Sequence, residues 1–247
     1  MSEPSLHSRA PVIVLSCEHA GNNVPAEYAT LFLGAGDALA SHRGWDPGAY
    51  ETAQLLAEAL GAQLLACHAT RLLVDTNRSL DNPTLFSEFV SSLTPERRQR
   101  VIDEHYTPHR SEVESHVASI AASGALVVHI GVHSFVDVLH GAQREVDLGV
   151  LFDPHRASAA SLCGAWITAL TARLPEWSVR ANEPYHGCDD GLTTHLRKMH
   201  DADRYIGVEI ELNQSLIAKK KGQRDAADAL AESLRAALPV ITGQRIA

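Results

Sequence analysis

Ala125-Leu126-Val127-Val128-His129-Ile130 is the most clearly buried strand that this sequence predicts. A short, nearly continuous apolar run is typical of a strand covered on both faces of a sheet. Further strand patterns occupy 11–15, 63–67, 72–75, 148–152 and 205–212, with a short one near 179. Helical patterns lie between them, at about 47–60, 94–122, 157–174 and 224–238. We expect Gly61 to end the first of these helices, Thr94 to cap the second, and a break in the second near Pro108. Alternating strands and helices predict an α/β fold whose largely parallel or mixed sheet is covered on both faces.

Composition narrows the class of protein. The chain has 247 residues, 45% of them apolar, and a net charge of −9, so we expect one domain over 1–247. This acidic charge, without a dense basic stripe, argues against a nucleic-acid partner. The polar start of the chain and the lack of a long apolar run predict a cytoplasmic protein that does not enter membranes. The four scattered cysteines indicate reduced thiols, and nothing indicates an oligomeric state.

Histidines and acidic residues follow several predicted strands. His19 comes after the first strand and before Gly21, where the backbone can approach closely; it is either a metal ligand or a loop histidine bonded to backbone. We expect the adjacent Glu18 to point elsewhere. Asp46 precedes Pro47 at a helix start, which favours a helix cap over a metal ligand. Ligands of such sheets bind beyond the carboxyl ends of strands, so these side chains are expected near one site.

Arginines mark a site for an anion. Arg71 precedes the apolar run Leu72-Leu73-Val74, and Asn77 and Arg78 follow it. The planar guanidinium matches a carboxylate in two-point contact. Pairing of Arg71 or Arg78 with Asp75 or Asp81 is the structural alternative. The placement beside a buried run favours ligand binding.

Two later strands carry further polar residues. His133 lies just past the buried strand, four residues after His129, so both share one face; we assign His129 to the inner core. Glu209 and Glu211 share a face of the strand at 205–212. Glu211 is a candidate general base for activating water at a metal site, and the alternative is an edge strand with a polar face.

Several motifs resemble those of the N-formylglutamate amidohydrolase family, nearly end to end. The matching segments are 16–25 (SCEHAGNNVP), 45–49 (WDPGA), 71–79 (RLLVDTNRS), 133–135 (HSF), 182–185 (NEPY) and 211–216 (ELNQSL). This family in turn looks like a distant relative of zinc carboxypeptidases and aspartoacylases. The resemblance implies a three-layer α/β sandwich with a central mixed, largely parallel sheet, as in zinc exopeptidases. It also implies hydrolysis of an N-acyl amino acid such as N-formyl-L-glutamate.

The resemblance also implies roles for individual residues. His19, Asp46 and His133 would hold Zn2+ or another divalent metal. In the carboxypeptidase pattern His-x-x-Glu, the glutamate is the second ligand. Asn22 occupies that position here, so Asp46 replaces the glutamate as a ligand. Glu211 would be the base and Arg71 the oxyanion group.

The remaining implied roles concern the substrate. Asn77 and Arg78 would bind its α-carboxylate, and Tyr185 would close over it. Either Arg144 or Arg180 would anchor a side-chain carboxylate. The partner is therefore a small anionic N-acyl amino acid. A zinc amidase acting on peptides, and a non-enzymatic carboxylate-binding protein, are the alternatives.

Overall fold

The computed structural model describes residues 10–139 and 141–242. Its strands are β1 (Val12–Cys17), β2 (Gln63–Ala66), β3 (Val127–Phe135), β4 (Val138–Leu139), β5 (Ala142–Gln143), β6 (Leu148–Phe152), β7 (Val179–Ala181) and β8 (Tyr205–Asn213). Six strands form a sheet in the order β2-β1-β3-β8-β6-β7, and β4 pairs with β5 in a separate hairpin. Only the β6–β8 pairing within the described sheet is antiparallel. The predicted mixed, largely parallel α/β sheet is confirmed.

Helices cover both faces of this sheet. They are α1 (Gly36–Ala40), α2 (Ala49–Leu60), α3 (Pro95–Val101), α4 (Thr107–Ala122), α5 (Ala157–Arg173), α6 (Leu192–Met199), α7 (Gln214–Ile217), α8 (Lys220–Ala237) and α9 (Pro239–Thr242). Helices α2, α5 and α8 bury their apolar residues on one face of the sheet, in the largest core cluster. Helices α4 and α6 pack on the other face, in a smaller cluster. The result is a three-layer sandwich, which keeps the central strands out of water on both sides.

Turn chemistry places several helix boundaries as expected. Thr94 caps α3 by accepting a hydrogen bond from the Arg97 amide, with proline at the first turn. Gly61 ends α2 with φ of 63°, a left-handed conformation that glycine adopts without steric cost. The helix break expected near Pro108 is a π-helical turn at Ile102–Tyr106, immediately before α4.

The strand predicted at 72–75 is wrong. This segment is a turn followed by irregular chain: the Leu73 amide donates to Thr70 O and the Asp75 amide to Leu85 O. Leu72, Leu73 and Val74 are buried, but in a separate apolar cluster beside the sheet. Burial without β-pairing explains the error, because an apolar run carries no information about which cluster it joins.

Two central strands also differ from expectation. β3 continues to Phe135 and all nine of its residues are buried, so His133 lies within the strand and not past it. β8 lies between β3 and β6, so the edge-strand interpretation of Glu209 and Glu211 is wrong. The sequence analysis also did not predict the helix α6. No helix in the described ranges has the length and apolar character needed to cross a membrane.

Candidate active site

Three side chains converge at the carboxyl ends of β1 and β3. His19 is the second residue after β1, close to Gly21, which packs so tightly that a Cβ atom there would lie 2.9 Å from the His68 carbonyl oxygen. His133 lies near the end of β3. The Nδ1 atoms of His19 and His133 lie 3.3 and 3.0 Å from the same atom, Asp46 Oδ2. Together these residues form a buried group whose donor atoms could share one metal ion.

Asp46 does not cap a helix with its side chain. The N-cap of α2 is Gly48, which has φ of 81°, and the Asp46 carbonyl oxygen accepts the Ala49 amide. The Asp46 carboxylate instead lies buried between the two histidines, and its own amide donates to His19 O. The cap interpretation is therefore wrong, because the turn at 46–48 directs this carboxylate into the site.

Each histidine has a second buried carboxylate on its far side. His19 Nε2 lies 2.7 Å from Asp75 Oδ1, and His133 Nε2 lies 3.0 Å from Glu18 Oε2. Both Nδ1 atoms therefore face Asp46, while both Nε2 atoms face an outer carboxylate. The expectation that Glu18 points away from the site is wrong, since it reaches His133 from the α4 side of the sheet.

The carboxylates control the ionisation of this group. Burial alone would lower the pKa of His133, but hydrogen bonds to Asp46 and Glu18 raise it well above the ordinary value. Burial would raise the pKa of Asp46, yet the charge of His19 and the hydrogen bond to His133 lower it. Without a metal ion, the histidines therefore hold protons as counter-charges, and a bound cation would take their place.

Glu211 lies on β8 beside this group, as the register partner of His133. It is buried, and its Oε2 atom has no hydrogen-bond partner among the described residues. Burial raises its pKa to about 8; the charge of His133 opposes this shift, and Asp46 and Glu209 add to it. Val208, Ile210 and Leu212 point to the opposite, apolar face. Glu211 is thus a buried, pocket-lining carboxyl group with one oxygen that has no partner among the described residues.

Arg71 is held by two carboxylates. Its Nε and Nη2 atoms donate to Asp75 Oδ2 at 3.1 and 2.7 Å, and its Nη1 atom lies 3.5 Å from Asp46 Oδ1. The structural pairing with Asp75 is therefore present, and the same guanidinium lines the pocket. Asp75 links Arg71 to His19, so one carboxylate orients both cationic groups.

Asn77 and Arg78 line the pocket on the side of α6. Arg78 Nη1 donates to the carbonyl oxygen of Asp190 at 2.8 Å. Asn77 Oδ1 accepts the Leu192 amide at the start of α6, at 2.7 Å. The Asp190 carboxylate accepts the Ser79 amide at 2.9 Å. These bonds fix the loop after Asp75 without engaging the remaining donors of Arg78.

Tyr185 and Arg144 lie together at the mouth. The Arg144 guanidinium stacks 5.0 Å from the Tyr185 ring centre and 5.4 Å from that of Phe135. Its Nη1 atom donates to the Tyr185 hydroxyl at 3.1 Å. Tyr185 lines the pocket, whereas Arg144 does not. Arg180 is exposed on the edge strand β7 and does not line the pocket.

One pocket of about 140 Å³ brings most of the predicted residues together. It is lined by His19, Asp46, Arg71, Asn77, Arg78, His133, Ser134, Tyr185, His186, Asp189, Asp190, Glu209 and Glu211. Of the ten residues that the sequence analysis proposed for the site, Arg144 and Arg180 are outside this lining. Sequence reasoning missed Glu18 and Asp75 as histidine partners, and the pocket residues of the loop at 186–190. The turn-forming residues of that loop were visible, but no pattern connected them to the strand ends.

Comparisons with known proteins first give the class. The chain is a hydrolase of the amidohydrolase type, which acts on carbon–nitrogen bonds of amides. The model of the N-formylglutamate amidohydrolase family matches residues 11–218, and the chain belongs to this family.

Solved structures support the fold. The crystal structure of gene product Atu2144 from Agrobacterium tumefaciens shares 33% identity, with a TM-score of 0.79 and coverage of 92% of this chain and 90% of that one. The N-formylglutamate amidohydrolase from Ralstonia eutropha JMP134 superposes with a TM-score of 0.68 at 20% identity, covering 97% and 98% of the two chains. No curated protein matches the sequence.

Proposed function

We propose that this chain is a metal-dependent hydrolase that cleaves the amide bond of an N-formyl amino acid, such as N-formyl-L-glutamate, to formate and glutamate. One observation carries the proposal: the donor atoms of His19, Asp46 and His133 converge beside Glu211 in the pocket that also contains Arg78. Family membership supports this reaction class. We also propose that 1–247 forms a single amidohydrolase domain.

The residues present fit a divalent cation. Two imidazole nitrogens and a carboxylate oxygen are the donors that Zn2+ accepts in catalytic sites with an open position. The outer carboxylates Glu18 and Asp75 are the partners that metal-binding histidines normally have. When bound at His19, Asp46 and His133, the cation would polarise the scissile carbonyl and acidify water.

The protein's own groups move the proton. The free Oε2 atom of Glu211 would accept a proton from the attacking water and return it to the departing amine. Burial favours the protonated form of this carboxyl, and the positive charge of an occupied cation site would favour the ionised form that a base requires. Arg71, which the two carboxylates hold in place, would donate to the oxygen that develops negative charge.

Anionic groups of the substrate have separate partners. The donors of Arg78 that have no partner among the described residues, together with Asn77, would bind the α-carboxylate. Neither Arg144 nor Arg180 lines the pocket, but Arg144 donates a hydrogen bond to Tyr185, which does, so we assign the substrate's side-chain carboxylate to Arg144. Tyr185 would then cover the bound substrate.

The test is formate release from N-formyl-L-glutamate, measured with metal-stripped protein with and without added zinc. Release that requires zinc is the expected result. Turnover at the same rate in metal-stripped protein would contradict the metal requirement. No release from any of a panel of N-acyl amino acids would favour a carboxylate-binding protein. The small pocket favours these substrates over peptides, and N-formyl dipeptides in the panel test that alternative.

A further inference from the structure

Glu18 is buried behind the candidate metal-binding histidines, where it has no direct access to substrate. It follows β1, and its backbone carbonyl oxygen accepts the Thr76 hydroxyl at 3.0 Å. Its side chain extends beneath the pocket on the α4 side of the sheet and is 2% exposed. Because Glu18 does not line the pocket, its contribution must pass through the residues that it contacts.

Two histidines lie on either side of this carboxylate. Oε2 is 3.0 Å from Nε2 of His133, and Oε1 is 3.5 Å from Nε2 of His109, a buried residue of α4. A buried carboxylate without such partners would cost several kcal/mol in desolvation. The arrangement therefore places one carboxylate oxygen of Glu18 in direct contact with the His133 ring.

An imidazole ring can rotate by half a turn and can carry its proton on either nitrogen. A fixed carboxylate at Nε2 selects one of these states, in which Nε2 carries the proton and Nδ1 is free to act as a ligand. In the structure, His133 Nδ1 is the atom that faces Asp46 Oδ2, at 3.0 Å. Glu18 thus stands at the position from which the ring's orientation is decided.

We propose that Glu18 is a positioning residue that orients His133, so that Nδ1 of this histidine faces the divalent cation. His109 of α4 lies 3.5 Å from the other oxygen of Glu18 without forming a hydrogen bond to it, so His133 is the hydrogen-bond partner of this carboxylate. This inference rests on the ligand set proposed above, and it adds a residue that binds neither the cation nor the substrate.

The test is zinc affinity, measured by competition with a chromogenic chelator on metal-stripped protein, independently of turnover. Loss of an outer carboxylate partner weakens metal binding about 10–100-fold, and we expect this loss for Glu18→Ala. Glu18→Gln keeps the size and an acceptor oxygen, so its loss should be smaller. Glu114→Gln is the matched control: this α4 carboxylate pairs with His195 outside the pocket, and its zinc affinity should equal that of the unaltered protein.

Thermal unfolding of the metal-free variants separates positioning from a purely structural role. A lower Tm for Glu18→Gln with unchanged zinc affinity would overturn the proposal. A second readout is the 15N spectrum of the histidines with zinc bound, in which the His133 Nε2 proton signal should shift in Glu18→Gln. Zinc binding without formate release would contradict the proposed substrate alone. Failure of the unaltered protein to bind zinc would overturn both the ligand set and this role of Glu18.

Discussion

His129 and His133 lie four residues apart on the same face of β3, and both are buried, yet their surroundings differ. His129 lies 2.7 Å from the Tyr205 hydroxyl and 2.7 Å from that of Ser16. His133 contacts the carboxylates of Asp46 and Glu18. Burial lowers the pKa of His129 to about 4, whereas the carboxylates raise that of His133 against the same effect. One strand therefore carries a neutral structural histidine, His129, and a candidate metal ligand, His133. The groups that each ring contacts, hydroxyls or carboxylates, determine this difference.

The largest expected effect comes from the base beside His133. Glu211→Gln should lower kcat by about 10²–10⁴-fold, the usual contribution of general acid–base catalysis. The reason is that the glutamine side chain cannot accept the proton of the attacking water. Zinc affinity should be unchanged, since Glu211 is outside the proposed ligand set. Steady-state formate release and chelator competition measure the two quantities. An active Glu211→Gln enzyme would refute the base assignment.

Exchanging each histidine tests the comparison directly. His133→Gln should weaken zinc binding by more than the roughly 100-fold upper range for an outer partner, because it removes a proposed ligand. His129→Gln should leave zinc affinity unchanged, because His129 faces hydroxyl groups in the core. Chelator competition on both metal-stripped variants gives the answer. Equal zinc affinities for the two variants would contradict the assignment of His133 as a ligand and His129 as a core residue.

The free energy of unfolding should depend on pH through the buried His129. His129 has a lower pKa folded, about 4, than the ordinary value of 6.5, so the unfolded chain binds more protons between these values. Its contribution is fully present above about pH 6.5 and is lost as pH falls toward 4, about 3 kcal/mol in all.

Urea unfolding of metal-free protein across this range measures the effect. The loss of stability on acidification should be smaller in His129→Gln than in the unaltered protein. His155→Gln, which alters an exposed histidine, is the control and should follow the unaltered protein. Identical pH profiles for all three proteins would show that His129 is not kept neutral by burial.

The smallest effect is expected farthest from the strand, at the mouth. Arg144→Gln should raise KM for N-formyl-L-glutamate about tenfold, the low end for a hydrogen bond to a charged group, because the site is partly open to water. KM for N-formyl-L-alanine, which lacks the second carboxylate, should be unchanged. Arg180→Gln should alter neither value. An equal change for both substrates would show that Arg144 does not read the side-chain carboxylate.

The ends of several strands, and the polar residues near them, could be predicted from the sequence. Apolar runs located the sheet, and the two histidines near its strand ends, His19 and His133, do meet at its carboxyl edge. Local patterns could not locate partners distant in sequence. The contact between Glu18 and His133 joins two strands, and the contact between His19 and Asp75 depends on a turn segment that was mistaken for a strand.

Asp46 shows the opposite error. Aspartate followed by proline is a strong cap signal, but a glycine with positive φ took over the start of α2 and left the carboxylate free for the site. Sequence patterns relate a residue only to its neighbours in the chain. They therefore do not indicate that residues distant in sequence offer it stronger contacts. Only the packed structure distinguishes these outcomes.

The pairing of β3 with β8 has a consequence for how this site can change. His133 and Glu211 are cross-strand partners in a nine-residue parallel register. A slip of one residue in either strand would turn that strand's polar group toward the apolar helix layer. Insertions or deletions within these strands should therefore be excluded during evolution. An engineer transplanting this chemistry to another scaffold would have to move the two strands as one unit.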